Sequence, residues 1–196
     1  MATRRIGAES SASRAKLVRA AEQLLIDEGY AAVTSRKVAA VAGLKPQLVH
    51  YYFRSMDDLY LEVFRRRADQ ALEHQTRVLA SETPLWDLWR MSNDRTWVQF
   101  SIEFTALAHH RKHISAEIAR YGELFRERQM DVMTAALERA GITDDELPPT
   151  VALVLMTSIS RVLGMEAGLG MSAGHDETVA FVERRLAELE GPAPTA

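Results

Sequence analysis

Arg36, Lys37, Lys45, Gln47, His50, Tyr51 and Arg54 crowd into one short stretch of this chain, alongside Ser35, Pro46 and Tyr52. The glutamine amide has the donor–acceptor pair that matches an adenine edge. Lysine reaches guanine O6/N7 or a phosphate, and the tyrosine and histidine groups donate to phosphate oxygens. Together they suit hydrogen bonding to a nucleic acid. A plain helical corner with a solvated face is the competing reading of the same pattern.

These side chains need a rigid platform, and the surrounding residues specify one. Val33-Thr34 supplies an apolar residue and a threonine N-cap for a helix over Ser35–Ala42. Gly43 stops it with a left-handed residue, and Pro46 opens a further helix to Tyr52 or Phe53. Two short helices about a glycine turn are the dimensions of a helix-turn-helix. Val38, Val41, Ala42, Leu44, Val49 and Phe53 form the expected inward set. A preceding helix, about Ala12–Glu28, buries Leu17, Ala21, Leu24 and Leu25 and shows Arg14, Lys16 and Arg19 to solvent. Ser55 caps a following helix that carries Leu59, Val63 and Phe64 inward and reaches about Leu79.

The stretch TSRKVAAVAGLKPQLVHYYFRSMDDLYLEVF resembles the DNA-binding signature of the tetracycline-repressor (TetR) family of bacterial transcriptional regulators. AAEQLLIDEGYAAVTSRKVA is similar to that family's first helix, so the resemblance covers roughly Arg14–Phe64. It implies a dimeric, all-α protein with an N-terminal three-helix domain on a C-terminal body that binds a small effector and dimerises through its last two long helices. By position it places Ser35 and Arg36 on the DNA backbone, and Lys45, Pro46, Gln47, His50, Tyr51 and Tyr52 on the recognition helix. His50 stands where the family usually has tyrosine, and Met56 where it usually has a phosphate-gripping lysine. His50 still donates a hydrogen bond and gains charge on acidification. The lost anchor passes to Arg54 or to backbone N–H groups of the next helix. With Pro46 and Leu48 apolar, specificity is expected to rest on Lys45 and Gln47. The expected division is residues 10–56 for DNA binding, with helix 55–79 as the link. Residues 57–190 form the effector and dimerisation domain, and 1–9 and 191–196 are flexible tails.

Composition agrees and narrows the classes. The 196 residues contain no cysteine, which excludes disulfides, thiolate zinc sites and cysteine nucleophiles. The net charge of −3 divides into +5 over residues 1–67 and −8 over the rest, a basic module on an acidic one. The opening MATRRIGAESSASRA has no apolar core of a leader, and Val151–Met165 carries Arg161 and falls short of a membrane span. A cytoplasmic protein with no membrane contact is expected.

Beyond Pro84, helices are expected near 84–92, 94–109, 115–140, 148–167 and 176–190, with Ser115 as a cap. Bulky apolar side chains concentrate there. Trp89, Trp97, Phe100, Phe104, Tyr121, Phe125, Met133 and Met156 are the candidate lining of an apolar effector pocket, or simply core. Leu155, Ile159, Val162, Val179, Val182 and Leu186 fall on stripes that a second copy would cover. His109, His113 and Glu117 have metal-ligand spacing, but the cations of HHRKH oppose a metal ion, so none is assigned. No cofactor loop or acid/base pair is evident, and no catalytic residue is assigned. The expected partners are an inverted-repeat DNA operator, a small apolar effector and a second copy. A helical small-molecule-binding protein or enzyme with an incidental basic N-terminus is the alternative.

Overall fold

The computed structural model describes the backbone of residues 2–194 and the side chains of residues 12–194. Among these residues there are nine α-helices and one 3₁₀ turn, and no strand. In chain order they are α1 (Ala2–Glu28), the 3₁₀ turn Tyr30–Ala32, α2 (Ser35–Ala42), α3 (Gln47–Tyr52), α4 (Met56–Leu79), α5 (Pro84–Ser92), α6 (Arg95–Ala108), α7 (Lys112–Arg139), α8 (Pro149–Gly168) and α9 (His175–Glu190). This is the all-α architecture that helical spacing predicts.

Several boundaries move. Helix α1 begins at Ala2, so the expected N-terminal tail is helical from there, while Met1 and residues 195–196 lie outside the described residues. Helix α7 begins at Lys112, not Ser115, because the Arg111 carbonyl already accepts from the Ile114 and Ser115 N–H groups. The expected C-terminal tail is tied down. Trp86 Nε1 donates to the Gly191 carbonyl at 3.0 Å, and Arg90 donates to that of Pro194 at 3.4 Å. Helix α8 spans 20 residues, longer than its apolar run suggests, and is by length and composition able to cross a membrane.

The chain divides into two compact units, Met1–Asp69 with Glu103–Ile118, and Gln70–Ile102 with Ala119–Ala196. In the first, Leu17, Leu25, Val38, Ala39, Val49, Phe53, Leu59, Val63, Phe104, Leu107 and Ile114 are buried. Apart from Ala39, such side chains each contribute about 1.5–3 kcal/mol on full burial. Phe64 and Phe104 pack with ring centroids 5.2 Å apart. Val41, expected inward, is 52% exposed. At about 100° per residue it falls roughly 110° from the middle of the arc that Val38 and Ala39 bury. Arg14 is not a simple solvent residue either. Its guanidinium sits 5.2 Å from the centre of the Phe53 ring and donates to Glu62 at 2.6 Å.

The second unit has its own core, in which Leu85, Trp86, Leu88 and Trp89 of α5 pack with Met133 and Leu137 of α7, Leu153 and Met156 of α8, and Val182 and Leu186 of α9. The Glu190 carboxylate accepts from the Leu85 and Trp86 N–H groups at 3.0 Å, capping α5. At Gly164 an added Cβ would stand 2.3 Å from Val98 Cγ1, so α6 and α8 approach through a position where only hydrogen fits.

Candidate nucleic-acid interface

Local chemistry builds the reading element. The Thr34 side chain accepts from the Lys37 N–H and starts α2. Gly43, at φ 65°, ends it with its N–H on the Ala39 and Ala40 carbonyls. Pro46 is the N-cap of α3 and Phe53 its extended C-cap. Ser55 and Asp58 then cap α4 reciprocally: Asp58 N–H donates to Ser55 Oγ at 3.2 Å, and Ser55 N–H to Asp58 Oδ2 at 3.1 Å. Helix α3 has only six residues, so its position comes from Val49 and Phe53 in the core.

The outer surface holds most of the expected set. Arg36, Lys45, Pro46, Gln47, His50, Tyr51 and Arg54 are exposed, while Ser35, Lys37 and Tyr52 are half-buried. Tyr51 is 75% exposed, with its ring edge-to-face on Tyr52 at 4.9 Å. Arg36, Lys45 and Arg54 have no ion pair among the described residues. Lys37 differs, because its ammonium is paired with Glu28. At position 56 the side chain is a half-buried methionine, and the first turn of α4 carries Asp57 and Asp58. Those carboxylates oppose a phosphate there, which leaves Arg54 as the better substitute anchor.

A group of long-range hydrogen bonds, to which the sequence did not point, holds this element at both ends. At its entry, the Tyr30 N–H donates to Glu103 Oε2 at 2.8 Å. The Tyr60 hydroxyl, buried, is shared between the Tyr30 and Val33 carbonyls at 3.1 Å. Burial raises the Tyr60 pKa, and the charge of Arg111 partly offsets this. At its exit, Arg111 Nε donates to Asp57 Oδ1 at 2.8 Å, and His113 Nε2 lies 3.3 Å from Asp57 Oδ2. One signal was available: Glu103 is the sole carboxylate in the apolar helix α6.

The other expected sites are distributed as follows. His113 faces Asp57 and Glu117 accepts from Arg65 at 2.7 Å, so the His109–His113–Glu117 spacing assembles no ligand set. Trp89, Met133 and Met156 lie in the core of the second unit, Tyr121 is buried, and Trp97 packs on Phe100 and Phe125 at 5.8 Å. Phe104 belongs with Phe64 in the first unit. On α8, Leu155 and Val162 are exposed, with Val151, Val154 and Met165 beside them, and Ile159 is half-buried. On α9 the expected stripe is reassigned. Val182 and Leu186 are buried in the chain's own core with Val179 packed against it, and Phe181 is the exposed side chain instead.

Residues 17–63 match the family model of bacterial regulatory proteins of the tetR family. Among solved structures, a chain assigned as a TetR-family transcriptional regulator from Rhodococcus sp. superposes with TM-score 0.71 and 16% identity, over 91% of this chain and 98% of that one. The multidrug binding protein EbrR, complexed with imidazole, superposes with TM-score 0.55 and 23% identity, over 93% of this chain and 92% of its own. At these identities the likeness is one of fold. No curated protein matches the chain.

Proposed function

We propose that this chain, whose residues 17–63 match the family model of bacterial regulatory proteins of the tetR family, is a cytoplasmic repressor of that family which grips an inverted-repeat operator as a homodimer. The observation that carries the reading is the exposed face of Lys45, Gln47, His50, Tyr51 and Arg54 on a capped helix-turn-helix. Each subunit sets α3 in a major groove, with Gln47 and Lys45 on base edges and Arg36, Tyr51 and Arg54 on phosphates. Half-sites lie about one or one and a half turns apart, one turn being roughly 34–36 Å. The exposed apolar side chains of α8 supply the surface for a second copy, which also accounts for an apolar helix left largely uncovered in one chain. We assign the molecule a regulatory role and no catalytic one.

A small, largely apolar effector entering the C-terminal body releases the DNA by binding the two spacings of the reading heads unequally. The aromatic content of the second unit supports this, as does the fold it shares with EbrR, a multidrug binding protein solved with imidazole. The direct test is a gel shift of the purified protein on its own promoter region, with and without Gln47→Ala. Sequence-selective binding at moderate salt, weakened by the substitution, is expected. Binding that ignores sequence and fades with salt would overturn the reading.

A further inference from the structure

Gln75 on α4 is fully buried. Its Nε2 donates to the Phe125 backbone carbonyl at 3.1 Å, while its Oε1 is sealed from solvent and accepts from nothing among the described residues. Flipping the amide offers no relief, because it would set two acceptors face to face. Methionine or leucine would fill such a space without leaving an unpaired oxygen. An acceptor held in this condition is suited to a donor that arrives from outside.

The rings that meet its hydrogen-bond partner, Phe125, describe the donor's carrier. Trp97 stands edge-on to the Phe125 ring, with an interplanar angle of 61°, and stacks on Phe100 at 21°. Gln129, one helical turn beyond Phe125, is a second buried amide. Trp97 is only half-buried, and beside it opens a cleft of about 70 Å³ lined also by Ser92, Val98, Ser101, Thr157 and Arg161. That holds about two waters and no aromatic ring, so a ligand entering beside Trp97 has to displace side chains of this wall. Arg128 donates to the Leu72 carbonyl and the Thr76 hydroxyl at 3.4 Å, placing positive charge along the turn of α4 that carries Gln75. A neutral donor suits this environment better than a cation.

We infer that Gln75 Oε1 is the acceptor for a neutral, planar aromatic effector bearing an N–H or O–H group, held against Trp97 and Phe125. This rests on the effector reading above and adds the ligand's chemistry to it. The test is calorimetric titration of the full chain with indole and with benzofuran, which has the same bicyclic outline but a ring oxygen in place of the N–H. Indole is expected to bind about three- to tenfold more tightly, the worth of one net hydrogen bond. Gln75→Met should bring the ratio near one while leaving benzofuran affinity and helical content unchanged. Equal affinities in the parent protein, or a preference that survives Gln75→Met, would overturn the assignment. The parent comparison decides even if the variant fails to fold. If both compounds bind equally and both release operator DNA, the effector reading stands and only the role of Gln75 falls; if neither binds at millimolar concentration, both fall.

Discussion

The Glu103 carboxylate of α6 accepts the backbone N–H of Tyr30, 73 residues earlier in the chain, at 2.8 Å. That N–H opens the 3₁₀ turn from which Thr34 launches α2, so a side chain with no DNA-facing position sets the entry angle of the reading element. Glu103→Leu should cost about 1.5–3 kcal/mol, the range for a hydrogen bond to a charged group. For a chain of this size that is a fall in Tm of roughly 3–12 °C. Glu103→Gln keeps an acceptor and should retain most of both stability and operator affinity. Thermal melts with anisotropy titrations would check the pair; equal losses in the two variants would contradict the role.

Two kinds of side chain on the reading face should separate by salt. Arg54→Ala should weaken binding uniformly across operator variants and reduce the slope of log K against log salt by about one for each phosphate no longer neutralised. Gln47→Ala should leave the slope alone and relax preference at one base pair per half-site, at about 1–3 kcal/mol. Titrations at several salt concentrations against a panel of single-base operator variants would show the difference.

The apolar stripes of α8 and α9 should also part company. Leu155 and Val162 are exposed, whereas Val182 lies in the core of its own chain. Leu155→Asp should give a helical monomer that no longer holds paired half-sites. Val182→Asp should instead lose helicity, because it buries an unpaired charge. Sedimentation velocity with circular dichroism would distinguish them, and a helical dimer carrying Leu155→Asp would rule out this face.

Gly164→Ala should cost about 1–3 kcal/mol by overpacking against Val98, since its new Cβ would lie 2.3 Å from Val98 Cγ1. Val98→Ala in the same chain should recover much of the loss. A double-mutant cycle from urea melts measures the coupling; additive losses would show that α6 and α8 relax apart freely.

The Arg14 hydrogen bond holds the Glu62 pKa below the usual carboxylate range, against a smaller opposing effect of burial. A carboxylate whose folded pKa is depressed contributes stability that is full above its unfolded pKa and is lost as pH falls through the folded one. The stability gap between the parent and Glu62→Gln should therefore be present at pH 7 and close as pH falls below about 4. Urea melts across that range would show it, and a gap that does not change with pH would refute the assignment.

Much of the fold was legible because its punctuation is local. Thr34, Gly43 and Ser55 act within three or four residues of themselves, and their types alone announce the helix ends. Which face a short helix turns inward was less legible. Val41 and Ala39 lie two residues apart, and only the packing of α2 on α1 decides between them. Arg14 read as a solvent residue because neither Phe53 nor Glu62 is near it in sequence. Val182 and Leu186 fit a core and a subunit interface equally well, since both bury one stripe of a helix. Glu103 and Gln75 act through partners 73 and 50 residues away, a relation that spacing cannot carry.

With six residues, α3 is too short to persist as a helix in water by itself. Its conformation is lent by Val49 and Phe53 beneath, while the letters it presents at 47, 50 and 51 stand on the opposite side and take no part in that loan. Mutational drift can therefore rewrite what this rod recognises without endangering the scaffold under it. New regulatory targets are then within reach of one or two codon changes.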